Sequence, residues 1–177
     1  GMGRADYLFD QETISAAIEV LLNDGVVVIH NGKAEVGPRA LGNRSLIARP
    51  DNEEVKRKLS VGIKEREPYR TVAPIVLAER FHEYFTGPFP SPYMLYKHQV
   101  KIEFRKRREG ATHLDGTARA QTLRRSTNPF LYDLIKGFGD RTGIYMLLNT
   151  SCNGKGDPIS NDVLSSLSIL DRTDEAK

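Results

Sequence analysis

The sequence predicts a single α/β domain built around a mixed sheet. Two observations carry this prediction: short β-branched or apolar runs alternate with amphipathic helical segments, and no stretch has the length or composition of an interdomain linker, repeat or low-complexity tract. A third is size, since 177 residues with 39% apolar content suffice for one real core.

Residues 11–23, QETISAAIEVLLN, set Ile14, Ala17, Ile18, Leu21 and Leu22 at helical spacing, and Asp24-Gly25 supplies the stop. VVVIH, residues 26–30, is a β-branched run short enough for a buried strand and is closed by the turn former Asn31-Gly32. The loop AEVGPRALGNRS, residues 34–45, leaves that strand and runs into a second one, SLIA. Asp51, with Glu54 three positions on, reads as the cap of a helix EEVKRKLS. VGIKEREPYRTVAPIVL is charged as far as Arg70 and then becomes an apolar strand at about 71–77. A helix AERFHEYF gives way to TGPFPSPY, whose prolines and glycine predict an irregular, partly stiffened connection.

YMLYKHQV, residues 93–100, alternates as a strand would, and KIEFRKRREG, residues 101–110, reads as a solvated charged loop or hairpin end. In THLDGTARAQTLRR, residues 112–125, an Asp-Gly turn leads into a strand of small and polar side chains. Asn128-Pro129 starts a helix with one apolar stripe, Phe130, Leu131, Leu134, Ile135 and Phe138. Gly143 leads into a strand IYMLLN that ends in TSCNGKGDPIS, and a weak helix covers about 160–170.

Composition removes several classes of function. The opening GMGRADYLFD lacks the apolar centre of a signal peptide, so residues 1–10 read as an N-terminal extension whose leading Gly-Met is a cloning remnant. No apolar stretch approaches the roughly 20 residues that span a bilayer, and a cytoplasmic protein without membrane contact is expected. The single cysteine, Cys152, rules out an internal disulfide and a cysteine-rich zinc site, and the histidines at 30, 82, 98 and 113 show no paired metal spacing. A formal charge of +3 permits an anionic ligand without demanding nucleic acid.

Four polar segments sit at strand exits with no evident packing role: GPRALGNRS, KEREPYR, DGTARAQT and NTSCNGKG. In the first, Gly37 and Gly42 allow close backbone approach and Pro38 stiffens the chain ahead of Arg39. A restrained arginine loses less entropy when it forks onto a phosphate or carboxylate. The competing reading pairs Arg39 and Arg44 with Glu35 or other carboxylates on a surface loop. In KEREPYR, alternation along an extended chain sets Lys64, Arg66 and Arg70 on one face, against the plain alternative of a solvated loop. Arg119 stands among small residues and needs an anionic partner if it faces inward; His113 and Asp115 nearby either pair with each other or orient a substrate. NTSCNGKG has the composition of a phosphate-cradling turn but is not a Walker motif. Together the four segments predict a positive, glycine-lined cleft for a phosphorylated ligand.

EVGPRALGNRSLIARP, IKEREPYRTVAP, SPYM, THLDGTARAQT and LLNTSCNGKGDPI, in this order and spacing, resemble the C-terminal domain of the carbamoyltransferases that make carbamoylated nodulation factors and antibiotics. The resemblance runs from about residue 11 to 171, so residues 11–177 read as that domain, shortened at its end. It implies a YrdC-like fold, a twisted mixed sheet with flanking helices around a positively charged cavity. It implies that carbamoyl phosphate and ATP, with magnesium accompanying the nucleotide, yield carbamoyl adenylate in this domain. A separate N-terminal, Kae-like, metal-containing domain would then transfer the carbamoyl group. By position, Arg39, Lys64 and Arg70 are the implied catalytic cations; Arg119, Leu148, Asn149 and Ser151 complete the implied substrate and nucleotide pocket, with no metal ligand of the domain's own. Cys152 departs from the family, which usually has an aromatic residue there. Two other functions are weighed against this one: an RNA-binding module using residues 104–109, FRKRRE, with Arg124 and Arg125, and a non-catalytic regulatory domain. Few aromatics interleave with those charges, which argues against nucleic acid.

Overall fold

A computed structural model describes residues 11–63, 72–105, 115–154, 157–160 and 169. The elements in order are α1 (Gln11–Leu22), β1 (Val27–His30), β2 (Arg44–Ala48), α2 (Glu53–Arg57) running into a π-helical turn (Lys58–Ile63), β3 (Ala73–Leu77), a 3₁₀ turn (Ala78–Arg80) with α3 (Phe81–Tyr84), β4 (Phe85–Thr86), β5 (His98–Val100), α4 (Ile102–Arg105), β6 (Thr117–Ala118), β7 (Gln121–Leu123), α5 (Pro129–Thr142) and β8 (Met146–Ser151). The mixed α/β class expected from the sequence is the class observed. Five strands form a sheet in the order β1-β2-β8-β3-β7, antiparallel except for the parallel pair β3 and β7. A second sheet of three short strands, β4-β5-β6, stands beside it.

Strand alternation sorts the large sheet into two faces. On one face Ile29, Ile47, Ile75 and Leu147 meet α1 through Ile14, Ile18 and Leu21, and α5 through Leu131, Leu134, Ile135 and Phe138. The two helices cross so closely that a Cβ on Gly137 would lie 2.5 Å from Ile18 Cδ1, which explains a glycine in mid-helix. On the opposite face Leu46, Ala48, Leu148 and Cys152 pack with Val55 and Leu59. Arg49, just past β2, forks onto Asp51 and also reaches Asp24 and the Leu22 carbonyl, tying the end of α1 to the sheet. The bond to Asp51 holds that guanidinium's pKa above its ordinary value.

Several boundaries differ from the sequence reading. The cap of α2 is Asn52, whose side chain accepts from the Glu54 and Val55 amides, while Asp51 is engaged by Arg49. YMLYKHQV is a strand only from His98, because Met94 is buried with φ 55° and turns the chain out of an extended path. KIEFRKRREG begins with the short helix α4, where Phe104 packs edge-on to Tyr84 at 5.0 Å; residues 106–110 lie outside the described residues. The single strand expected after Asp115-Gly116 is two strands in different sheets, divided at Arg119-Ala120. NTS belongs to β8 and is not part of a loop, since β2 continues the ladder as far as Ser45 opposite Ser151. The helix expected at about 160–170 falls almost wholly outside the described residues.

Candidate functional site

The loop between β1 and β2 is built around polar side chains that hold its main chain. Glu35 turns back so that Oε1 accepts from the amides of Leu41 (2.8 Å) and Asn43 (2.7 Å). Arg44, only 4% exposed, donates to three carbonyls: Asn31 (2.8 Å), Gly32 (2.9 Å) and Asn43 (3.0 Å). The competing reading paired Arg44 with Glu35 or another carboxylate, but its partners here are carbonyl oxygens. The reason is geometric: the carbonyls at both ends of the loop converge on the fork, and Glu35 satisfies amides instead.

The loop is then fastened to the sheet. Three buried amide side chains reach its carbonyls. Asn149 Nδ2 donates to Ala40 (3.1 Å), Gln121 Nε2 to Leu41 (2.9 Å) and Asn128 Nδ2 to Gly42 (3.4 Å). Gly42 N donates to Ser45 Oγ (3.1 Å). A side chain is excluded at Gly42, where φ is 116° and a Cβ would lie 2.5 Å from Leu131 Cδ2 on the first turn of α5. Sequence distance is irrelevant to this assembly, because β8 supplies Asn149, β7 supplies Gln121 and the cap of α5 supplies Asn128.

Of the residues singled out in sequence, Arg39 lies on this loop, half-buried, with no hydrogen bond or ion pair among the described residues. Asn149 lies beneath the loop, 2% exposed, donating also to Gln121 Oε1 at 2.9 Å. Ser151 follows two residues along the same face of β8, half-buried, its hydroxyl on Asn153 Oδ1 at 2.6 Å. Leu148 points the other way, fully buried in the second core cluster with Cys152. Arg119 is exposed at the break between β6 and β7 and has no partner among the described residues. Lys64, Arg70 and His113 lie outside the described residues, and Asp115 accepts from the Thr117 amide and hydroxyl. Gln121 was inside a quoted motif, yet sequence gave no reason to single it out; its signal was a large amide in a strand of small residues.

Among the described residues four buried side-chain polar atoms lack partners: Glu35 Oε2, Arg44 Nε, Asn149 Oδ1 and Ser91 Oγ. Three of the four belong to this loop or the strand directly under it. Buried polar groups in native proteins are rarely left unsatisfied, so such a concentration marks a place where a ligand or water completes the bonding.

A mixed sheet whose polar middle grips a glycine-permitted loop, with an arginine on that loop that has no partner among the described residues, defines the α/β class of this domain. Comparison with known proteins gives the family. The carbamoyltransferase C-terminus family model matches residues 18–175, and the chain belongs to that family. Nodulation protein NolO of Bradyrhizobium diazoefficiens is 39% identical over 175 residues, covering 97% of this chain and 32% of its own length. The 3'-hydroxymethylcephem-O-carbamoyltransferase of Amycolatopsis lactamdurans is 41% identical over 136 residues, covering 77% of this chain and 26% of its own. The chain thus spans a third or less of these relatives. Among solved structures, full-length HypF in its phosphate- and nucleotide-bound form superposes with a TM-score of 0.66 over 93% of this chain and 20% of its own, at 20% identity, a likeness of fold.

Proposed function

We propose that this is the carbamoyl-activating domain of a carbamoyltransferase, binding carbamoyl phosphate and ATP and forming carbamoyl adenylate. The observation that carries the reading is the half-buried side chain of Arg39, without a partner among the described residues, on a loop fastened at several points. Family membership supplies the chemistry to which that clamp is fitted.

In the activation step water cleaves carbamoyl phosphate to carbamate and inorganic phosphate, and a carbamate oxygen then attacks the α-phosphorus of ATP, forming carbamoyl adenylate as the bond to pyrophosphate breaks. Negative charge spreads over non-bridging oxygens, and prepositioned cations lower the barrier electrostatically. Arg39, with Lys64 and Arg70, would fill that role. Ser151 would orient the ligand through its hydroxyl, and Arg119 would hold the nucleotide from the rim. Magnesium would enter with the ATP phosphates; among the described residues no group of three His, Cys, Asp or Glu is placed to hold an ion. The longer relatives support the view that a separate Kae-like domain, N-terminal in cis or supplied in trans, carries out the transfer. Among the described residues no helix is long and apolar enough to cross a membrane, and we place the reaction in the cytoplasm.

The test is ATP–pyrophosphate exchange by the 177-residue chain. Exchange that requires carbamoyl phosphate or carbamate, and is lost in Arg39→Ala and Lys64→Ala, is the expected result. Neither exchange nor nucleotide binding by the unaltered chain would remove the proposal.

A further inference from the structure

The orientation of the Asn149 amide is dictated by main chain that cannot flip. Leu41 O faces the end of the Gln121 side chain and accepts, so Nε2 must sit there and Oε1 must point toward Asn149. Ala40 O and that Oε1 are then two acceptors facing Asn149, at 3.1 and 2.9 Å, and both are met by the two hydrogens of Nδ2. Any flip, of either amide or of both, sets at least one pair of oxygens against each other. Asn149 therefore shows its remaining neighbour a carbonyl oxygen only, and that oxygen is the buried atom without a partner.

We infer that Asn149 Oδ1 reads an N–H of the ligand's acyl group and that Gln121 is the positioning residue that makes it an acceptor. The inference rests on the proposed function and sharpens it. A bare acceptor in a buried setting repels phosphate oxygens, so the phosphate belongs to Arg39 and the carbamoyl NH₂ to Asn149. A polar site built for an N–H rejects an analogue that lacks it, because the buried acceptor then stays unsatisfied. Acetyl phosphate is such an analogue, with a methyl group of nearly the same size in place of the NH₂.

Calorimetric titration of the 177-residue chain, with and without a non-hydrolysable ATP analogue, compares carbamoyl phosphate, acetyl phosphate and inorganic phosphate. The wild type should prefer carbamoyl over acetyl phosphate by about ten- to a hundredfold. Asn149→Ala should abolish that preference by weakening carbamoyl phosphate more than acetyl phosphate, and Gln121→Leu should reduce it. A purely structural role would weaken both acyl phosphates equally and leave the ratio intact. Equal wild-type affinity for the two overturns the inference even if neither variant folds, and so does an Asn149→Ala defect confined to the ATP analogue. Wild type that binds none of the three phosphates and no nucleotide defeats the proposed function itself, a separate outcome.

Discussion

Two irregular, glycine- and proline-containing loops flank the short edge strand β7, and adjacent residues of that strand hold them. Gln121 donates to Leu41 of the loop between β1 and β2. Thr122 holds the loop between β4 and β5, its amide donating to Ser91 O and its Oγ1 accepting from Ser91 N, each at 2.9 Å. The first loop is tied down at Ala40, Leu41, Gly42 and Asn43 and leaves an arginine free among the described residues. The second is tied at Ser91 and at Pro88, whose carbonyl meets His98 Nε2 at 3.0 Å, and leaves Tyr93 60% and Leu95 68% exposed. Similar composition thus produces different surfaces. The density of fastening along the main chain and the charge left over at the end distinguish the two loops.

The sharpest way to break this contrast is to cut the first loop's internal support. Arg44→Ala removes three charge-assisted, partly buried bonds to loop carbonyls and should destabilise the domain by about 3 kcal/mol, read from urea unfolding midpoints. Arg39→Ala on the same loop should do the reverse. It should lower pyrophosphate exchange about a hundredfold while moving the unfolding free energy by less than ~0.5 kcal/mol. A large loss of stability would show that Arg39 is structural. On the second loop, Thr122→Val keeps the amide bond to Ser91 O but strands the Ser91 amide. It should cost ~1 kcal/mol and raise proteolytic nicking between residues 87 and 97, with exchange unchanged. Tyr93→Ser with Leu95→Ser should shift stability by no more than ~0.5 kcal/mol, because both side chains are exposed.

Acid is the mildest perturbation, and it separates the loops by their fastenings. The His98 ring is buried against Phe81 and Phe85, and desolvation lowers its pKa below the ordinary value of 6.5. The neutral ring keeps both bonds, Nε2–H to Pro88 O and Nδ1 accepting from Ala120 N at 3.3 Å. The unfolded chain takes up the proton more readily, so this stabilisation is present above pH 6.5 and is lost as the pH falls through and below it. Unfolding midpoints measured from about pH 8 to about pH 5 should fall on acidification, and the fall should flatten in His98→Gln. An unchanged slope in that variant would assign the acid sensitivity elsewhere.

Most of the scaffold was legible because its signals are local. The helical spacing of Ile14, Ile18 and Leu21, the Asn128 cap with Pro129 behind it, and the β-branched run at 26–30 each depend on residues within one or two turns of chain. Arg39 and Asn149 were named from their motifs. The loop's real fastenings were not legible, nor was the division of the 112–125 segment between two sheets. Both follow from strand order, which brings β7 and β8 under a loop some 80 to 109 positions earlier in sequence.

Residue type and spacing by themselves determined that this chain would form an α/β domain with a cationic, glycine-hinged loop, since helix periodicity, caps and turn chemistry are properties of neighbouring residues. Which polar atom each side chain would offer was decided only by folding. Asn149 carries a donor and an acceptor in every conformation of the free chain. It becomes an acceptor toward its remaining neighbour only when the carbonyl of Ala40 and the amide oxygen of Gln121 take both of its hydrogens.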